Sequence, residues 1–233
     1  MMNHAKPARH ARRERGFTLL EILVVLAILG VLTGMAVVAF DAVGRRGALQ
    51  NAAFDFQGAM MSARTRASSQ GYPVWVVLYP AANRKGTTGG LGAFLVVEDR
   101  NSDYLRTPAN LFSLKLEKSM VDGKEVVSSV YFLEDYNKKV RFETLTPGRV
   151  GLFSAPFQTL AAQTCSFCSP GASKAGAIGF FPNGSARFVS AEGTYASATN
   201  HSLALRSLEG RKQQLFAISG PTGYMAAFSP DKL

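Results

Sequence analysis

Residues 16–40 of the chain read GFTLLEILVVLAILGVLTGMAVVAF, and this stretch decides how the molecule is organised. From Phe17 to Phe40 it holds one charged side chain, Glu21. A helix over these 24 residues is about 36 Å long, enough to span a bilayer with some tilt. A charge costs about 2.5–3.5 kcal/mol at the bilayer centre and less near an interface. The position of Glu21 therefore requires an explanation.

The segment before the apolar stretch is basic. Residues 1–16 carry five Lys and Arg side chains against one glutamate, within a chain whose net charge is +10. A secretory signal has an apolar run of only 7–15 residues and a small-residue cleavage site after it, and neither feature fits here. Basic residues stay on the cytoplasmic side, so the pattern predicts a single-pass anchor whose following domain is translocated.

The junction RERGFTLLEILVVLAILGVL resembles the class III signal of type IV pilins and type II secretion pseudopilins. The resemblance implies that a prepilin peptidase removes residues 1–16 by cutting after Gly16. It also implies that the new N-terminal residue, Phe17, is N-methylated. Glu21 matches the acidic residue of that family. A GspH/FimT-type head, described below, refines this resemblance.

Cleavage would provide Glu21 with a partner. The freed amine of Phe17 is positive near neutral pH. In a low-dielectric core, an ammonium and a carboxylate attract strongly, and either one is costly when unpaired. Glu21 is one turn from its own amine and can also neutralise the amine of a neighbouring subunit, which would set the register between helices. The alternative is that Glu21 extends to the lipid headgroups.

Beyond the apolar segment, the pattern predicts that the helix continues to about Ser69. Apolar residues recur at three- and four-residue spacing and form one stripe: Leu49, Ala52, Ala53, Phe56, Ala59, Met60 and Ala63. Two glycines make Gly44–Gly47 the expected place for a bend or local melting on assembly. The helix is expected to end at Gly71-Tyr-Pro73.

The remainder reads as β-strands. The predicted runs are 73–80, 92–99, 126–133, 139–144, 151–156, two strands within 177–190 joined by Pro182–Ser185, and 202–207, 215–219 and 223–228. The sequence thus predicts an α+β fold, with a long N-terminal helix packed on an antiparallel, two-sheet head, as in pilins. The expected divisions are a leader at 1–16, a helix at 17–70 and a β-rich head at 71–233.

Two turn motifs of the head resemble the GspH/FimT group of minor pilins and pseudopilins. They are FFPNGS, from Phe180 to Ser185, and ISGPTG, from Ile218 to Gly223. The resemblance implies a low-copy subunit that joins or primes a type IV pilus or a type II secretion pseudopilus. Its expected partners are prepilin peptidase, other major and minor pilins or pseudopilins, and the inner membrane, with the head in the periplasm before it enters a filament. The choice between the two machines stays open.

The residue inventory argues against catalysis. A mature chain would keep one histidine, His201, interpreted as a surface loop residue, so a histidine metal cluster is excluded. Glu98/Asp99 and Glu134/Asp135 are sequence neighbours that would face opposite sides of a strand. Cys165 and Cys168 lie in loop-like TCSFCSPG, which favours a structural disulfide if the head lies outside the cytoplasm. We expect no enzyme activity, no cofactor and no metal.

Three alternatives concern binding. A DNA-binding minor pilin of a competence pilus would use charge alone, and its candidate contacts are Arg187, Arg206, Arg211 and Lys212. A solvated basic turn is the competing interpretation of the same residues. Recognition of a secreted substrate by the head is a second alternative. A plain membrane-anchored periplasmic domain is the third, and it predicts no cleavage at Gly16.

Overall fold

A computed structural model describes residues 18–169 and 174–230, without the side chains of residues 37–46. The chain divides into two compact units, residues 1–43 and 44–233. Helix α1 runs Leu19–Gln70, as its unbroken helical pattern predicts, and residues 44–47 are helical within it. Melting of that segment on assembly stays a prediction.

The larger unit is built on two antiparallel sheets. The first has five strands in the order β5-β2-β1-β7-β8. These strands are β1 Val74–Tyr79, β2 Ala93–Glu98, β5 Val127–Phe132, β7 Gly176–Phe180 and β8 Ala186–Ser190. Strands β7 and β8 are joined by the predicted Pro182–Ser185 turn, whereas the neighbours β1 and β7 are far apart in the sequence.

The second sheet has four strands in the order β11-β10-β9-β6. They are β6 Val140–Phe142, β9 Asn200–Ser207, β10 Gln213–Ser219 and β11 Met225–Phe228. A separate two-stranded hairpin pairs β3 Met120–Val121 with β4 Lys124–Glu125. The α+β fold class and the two-sheet head are therefore confirmed.

The core lies where α1 meets both sheets. All seven residues of the predicted apolar stripe are buried, and they pack against inward-facing residues of each sheet. Phe56 is fully buried at the centre. Its ring centroid lies 5.2 Å from that of Phe94 in β2 and 5.0 Å from that of Phe216 in β10. One side chain of the helix thus contacts both sheets at once.

Each sheet is also covered on its outer face, which explains why several strands are apolar at successive positions. The outer face of the first sheet, including Trp75 and Leu95, packs on Tyr104, Leu111 and Leu116. These come from the connection between β2 and β5, which holds α2 Asp103–Arg106 and a 3₁₀ turn at Pro108–Ser113, and a second 3₁₀ turn, Leu133–Asp135, follows β5. Burial on both sides removes the alternation that a half-exposed strand would display.

One strand prediction is wrong. Residues 151–156 form a loop whose Phe153, with the nearby Phe157, covers the outer face of the second sheet. The peptide bond between Ala155 and Pro156 is cis. The apolar content of this run reflects burial of its side chains, while its backbone pairs with no strand among the described residues.

Candidate functional site

The first turn of α1 is fixed by a side-chain cap. Thr18 precedes the helix, and its Oγ1 accepts a hydrogen bond from the backbone N–H of Glu21 at 3.2 Å. The carbonyl of Thr18 accepts the first helical bond, from Ile22 N–H, also at 3.2 Å. A Thr at the N-cap with Glu three residues later is the capping-box pattern. Glu21 is thus held in the first turn, where a negative charge also complements the helix dipole.

The sequence signal for this cap is the Thr-x-x-Glu spacing of Thr18 and Glu21. The cap is a second role for this pair, in addition to the predicted role of Glu21 in setting the register between helices. The two roles are compatible, because the hydrogen bond uses the backbone N–H of Glu21 and leaves its carboxylate available. Gly16 and Phe17, the predicted cleavage and methylation residues, lie outside the described residues.

The segment Leu19–Ala36 is long and apolar enough to cross a membrane. Its large apolar side chains are exposed. The hydroxyl of Thr33 donates to the carbonyl of Leu29 at 2.7 Å, so this polar group is satisfied within the helix. At about 1.5 Å per residue, an 18-residue span is about 27 Å long, close to the thickness of a bilayer hydrocarbon core.

Hydrogen bonds and an ion pair connect the later turns of α1 to the strands and loops of the head. The hydroxyl of Tyr136 donates to the Asp55 carboxylate at 2.6 Å. Burial, followed by the hydrogen bond to Asp55, raises the pKa of the Tyr136 phenol. Nearer the helix end, Arg66 Nη1 lies 3.3 Å from the Glu98 carboxylate, which also accepts from the hydroxyl of Tyr72.

The two turn motifs of the head meet at the junction of the sheets. A Cβ on Gly223 would lie 2.5 Å from the carbonyl oxygen of Gly184, and Gly223 has φ of +58°. Both facts favour glycine there. The N–H of Ala186 donates to the carbonyl of Gly220 at 2.6 Å, and the N–H of Gly220 donates to Thr199 at 2.7 Å. The turn after β7 and the turn after β10 therefore form one contact.

Cys165 and Cys168 are joined by a disulfide, with Cα atoms 5.4 Å apart. The enclosed loop is docked on β9, because Ser166 N–H donates to the Ser202 carbonyl at 3.0 Å. On the other side, a Cβ on Gly176 would lie 2.8 Å from Cys168 Sγ. The disulfide loop thus contacts a strand of each sheet.

The interpretation of His201 as a surface loop residue is wrong. His201 is in β9 and is 3% exposed, against the rings of Phe167 and Phe188. Its Nε2 lies 3.1 Å from the Ala198 carbonyl, which can only accept, so Nδ1 accepts from the hydroxyl of Ser166 at 2.8 Å. Burial lowers the pKa of the imidazole. Both ring nitrogens are occupied, which fits a structural role.

The four cations considered for DNA contact are distributed over both sheets. Arg187 is on β8, with its guanidinium carbon 5.1 Å from the ring centroid of Phe181. Arg206 is on β9, and its Nε lies 2.8 Å from the Glu143 carboxylate. Arg211 and Lys212 are exposed in the turn that follows β9. Two of the four are thus already engaged by side chains of this chain.

The acidic pairs do not converge on a site. Glu98 faces Tyr72 and Arg100, whereas Asp99 is buried and accepts from Trp75 Nε1 at 3.2 Å, so the two neighbours point to opposite sides as predicted. Glu134 and Asp135 lie in a 3₁₀ turn. Among the described residues, no group of three His, Cys, Asp or Glu side chains is arranged to hold a metal ion.

The comparison with known protein families concerns the same N-terminal segment. Residues 11–37 match the family model described as the prokaryotic N-terminal methylation motif. This motif is the one found in precursors of the type IV pilin and pseudopilin family, and the apolar segment Leu19–Ala36 that overlaps it fits a single-pass membrane anchor. The motif implies processing by prepilin peptidase and assembly with other pilins. No curated protein and no solved structure matched the chain.

Proposed function

We propose that the chain is a minor pilin or pseudopilin of the GspH/FimT group, a structural subunit that joins or primes a type IV pilus or type II secretion pseudopilus. The observation that carries the proposal is the match of residues 11–37 to the methylation motif, in a chain that also has the helix Leu19–Gln70 and a two-sheet head. In this account the chain is cut after Gly16, Phe17 is methylated, and the head faces the periplasm.

The assignment to this group is supported by the contact between the two turn motifs. The residues that resemble the group, around Gly184 and Gly223, touch each other although they are about 40 residues apart in sequence. A tight four-residue disulfide at Cys165–Cys168, rather than a long C-terminal disulfide loop, also favours a minor over a major subunit.

Assembly in this account depends on one electrostatic pair. Glu21 lies four residues after Phe17, whose freed amine is cationic near neutral pH. As a subunit leaves the bilayer, its Glu21 pairs with the amine of a neighbour, because leaving either charge unpaired among apolar helices is costly. Leu19–Ala36 then exchanges contact with lipid for contact with neighbouring helices.

The test is an assembly assay in the native host. Glu21→Ala and Glu21→Gln should leave membrane insertion and cleavage unchanged but remove the subunit from sheared or cross-linked filaments. Glu21→Asp keeps the charge and should retain part of the incorporation. Full incorporation of Glu21→Gln would contradict the pairing mechanism, since glutamine keeps the size and loses the charge.

A further inference from the structure

A groove of about 520 Å³ runs along β8, which is an edge strand of the first sheet. Its opposite wall is the segment 195–199. The N–H of Ala196 in this wall donates to the Phe188 carbonyl of β8 at 2.9 Å. A second backbone bond, from Ala186 N–H to the Gly220 carbonyl at 2.6 Å, ties β8 to the turn after β10. These bonds fix the walls, so the groove is preformed.

Arg187 of β8 is held at this groove by two aromatic rings. Its guanidinium carbon lies 5.1 Å from the ring centroid of Phe181 and 5.9 Å from that of Tyr195. The ring of Phe181 packs edge-on against Trp75, with centroids 6.0 Å apart. The hydroxyl of Tyr195 donates to the Leu105 carbonyl at 3.2 Å. Because both rings are fixed, they orient the guanidinium without using its fork of N–H donors.

The charge of Arg187 has no counterpart at this groove. Among the described residues, no carboxylate pairs with Arg187 and none accepts a hydrogen bond from it. Arg84, which also lies over a ring, forms an ion pair with Asp135. The remaining described residues of the groove lining are uncharged, and three of them carry aliphatic hydroxyls: Ser185, Ser197 and Thr199. An oriented guanidinium with free donors, beside hydroxyl groups, is suited to binding one anionic group.

We propose that this groove binds an extended segment of a partner protein through an aspartate or glutamate side chain held by Arg187. A carboxylate matches the guanidinium fork with two parallel hydrogen bonds, and nearby hydroxyls can donate to its remaining lone pairs. The groove follows an edge strand, where an extended chain can lie. A nucleic acid fits less well, because its repeated phosphates need several cations and the groove supplies one.

The first experiment uses the detergent-solubilised full chain with isotope-labelled arginine side chains, observed by NMR. The probe is acetyl-Gly-Asp-Gly-amide, and acetyl-Gly-Asn-Gly-amide at equal ionic strength is its neutral control. Arg211, which is exposed in the turn after β9, is the matched arginine without a ring contact among the described residues. We expect the acidic probe to bind at Arg187 about tenfold more tightly than at Arg211, and the neutral probe to shift neither signal. Equal affinities at the two arginines, or equal shifts by the two probes, would overturn the proposal.

Substitutions of Tyr195 test whether the rings orient the cation. Tyr195→Leu removes one ring and should lower the affinity at Arg187 toward that at Arg211, whereas Tyr195→Phe keeps the ring and should retain most of it. The melting transition of the head, followed by Trp75 fluorescence, shows that each variant is folded. An affinity that is unchanged in Tyr195→Leu would contradict this role of the ring.

The second experiment identifies the class of partner in the native host, with benzoylphenylalanine in place of Ser197. We expect adducts whose cross-linked peptide contains an aspartate or glutamate and whose yield falls about tenfold in Arg187→Gln. Lysine in place of that acidic residue should also remove the adduct, and Arg187→Glu should restore it. No adduct, adducts only to nucleic acid or lipid, or failure of this charge exchange would overturn the proposal. The groove belongs to the head, so these outcomes are independent of whether the chain is cut at Gly16.

Discussion

Replacing Phe56 by alanine tests how the helix and the two sheets are held together. The ring is fully buried and contacts Phe94 in the first sheet and both Phe142 and Phe216 in the second, with centroids 5.2, 6.3 and 5.0 Å away. Core Phe→Ala substitutions cost about 3–5 kcal/mol through lost burial and the cavity left behind. At roughly 2–4 °C per kcal/mol for a domain of this size, the melting temperature should fall by about 6–20 °C.

The assay is unfolding of the detergent-solubilised full chain, followed by fluorescence of Trp75. This is the only tryptophan and it is fully buried in the head, so its emission reports on the head alone. Phe54→Ala is the matched control, two residues away and 62% exposed, and its stability should change by about 0.5 kcal/mol or less. Equal losses for the two variants would refute the assignment of Phe56 as the residue that joins α1 to both sheets.

Three further predictions concern smaller features. Thr18→Ala removes the cap on Glu21 N–H and should weaken the first turn of α1 by about 1 kcal/mol, seen as faster amide exchange at Glu21 and Ile22, whereas Thr18→Ser should restore protection. Serine at both Cys165 and Cys168 should lower the free energy of unfolding by about 2 kcal/mol, and a reductant should destabilise only the unsubstituted chain. Because burial lowers the pKa of His201 from its ordinary 6.5, the unfolded chain binds a proton first as the pH falls. Stability should thus be full above pH 6.5 and decline below it, relative to His201→Gln; parallel pH curves for both chains would contradict this.

The helix and most strands can be predicted from the sequence, because the helix has apolar residues at a regular spacing and the strands are continuous apolar runs. The stripe from Leu49 to Ala63 predicts a buried face, and every member is buried. The turn at Pro182–Ser185 predicts a hairpin through its turn chemistry, and β7 pairs with β8 across it. These features depend on local sequence, so no knowledge of distant contacts is needed to predict them.

The errors arose where tertiary contacts decide the outcome. The apolar run 151–156 predicts a strand, yet its residues form a loop that covers the outer face of the second sheet. The position of His201 just before the predicted strand 202–207 indicates a surface loop residue, but Phe167 and Phe188 enclose it. A short apolar run predicts that its side chains are buried, but it does not decide the conformation of the backbone. A single polar residue such as His201 gives no signal in the sequence of which distant residues surround it.

The N-terminal part of the candidate site can also be predicted from the sequence. The basic leader, Gly16, Phe17 and Glu21 form a contiguous motif, so the sequence alone predicts processing and membrane anchoring.

The central claim is that this chain is a processed filament subunit, and its most direct test is the intact mass and N-terminal sequence of the protein from its native host. The measurement is made with and without the host's prepilin peptidase. The account predicts a chain that begins at N-methylated Phe17 only when the peptidase is present. A chain that keeps residues 1–16 in both strains would contradict the account and leave Leu19–Ala36 as a plain membrane anchor.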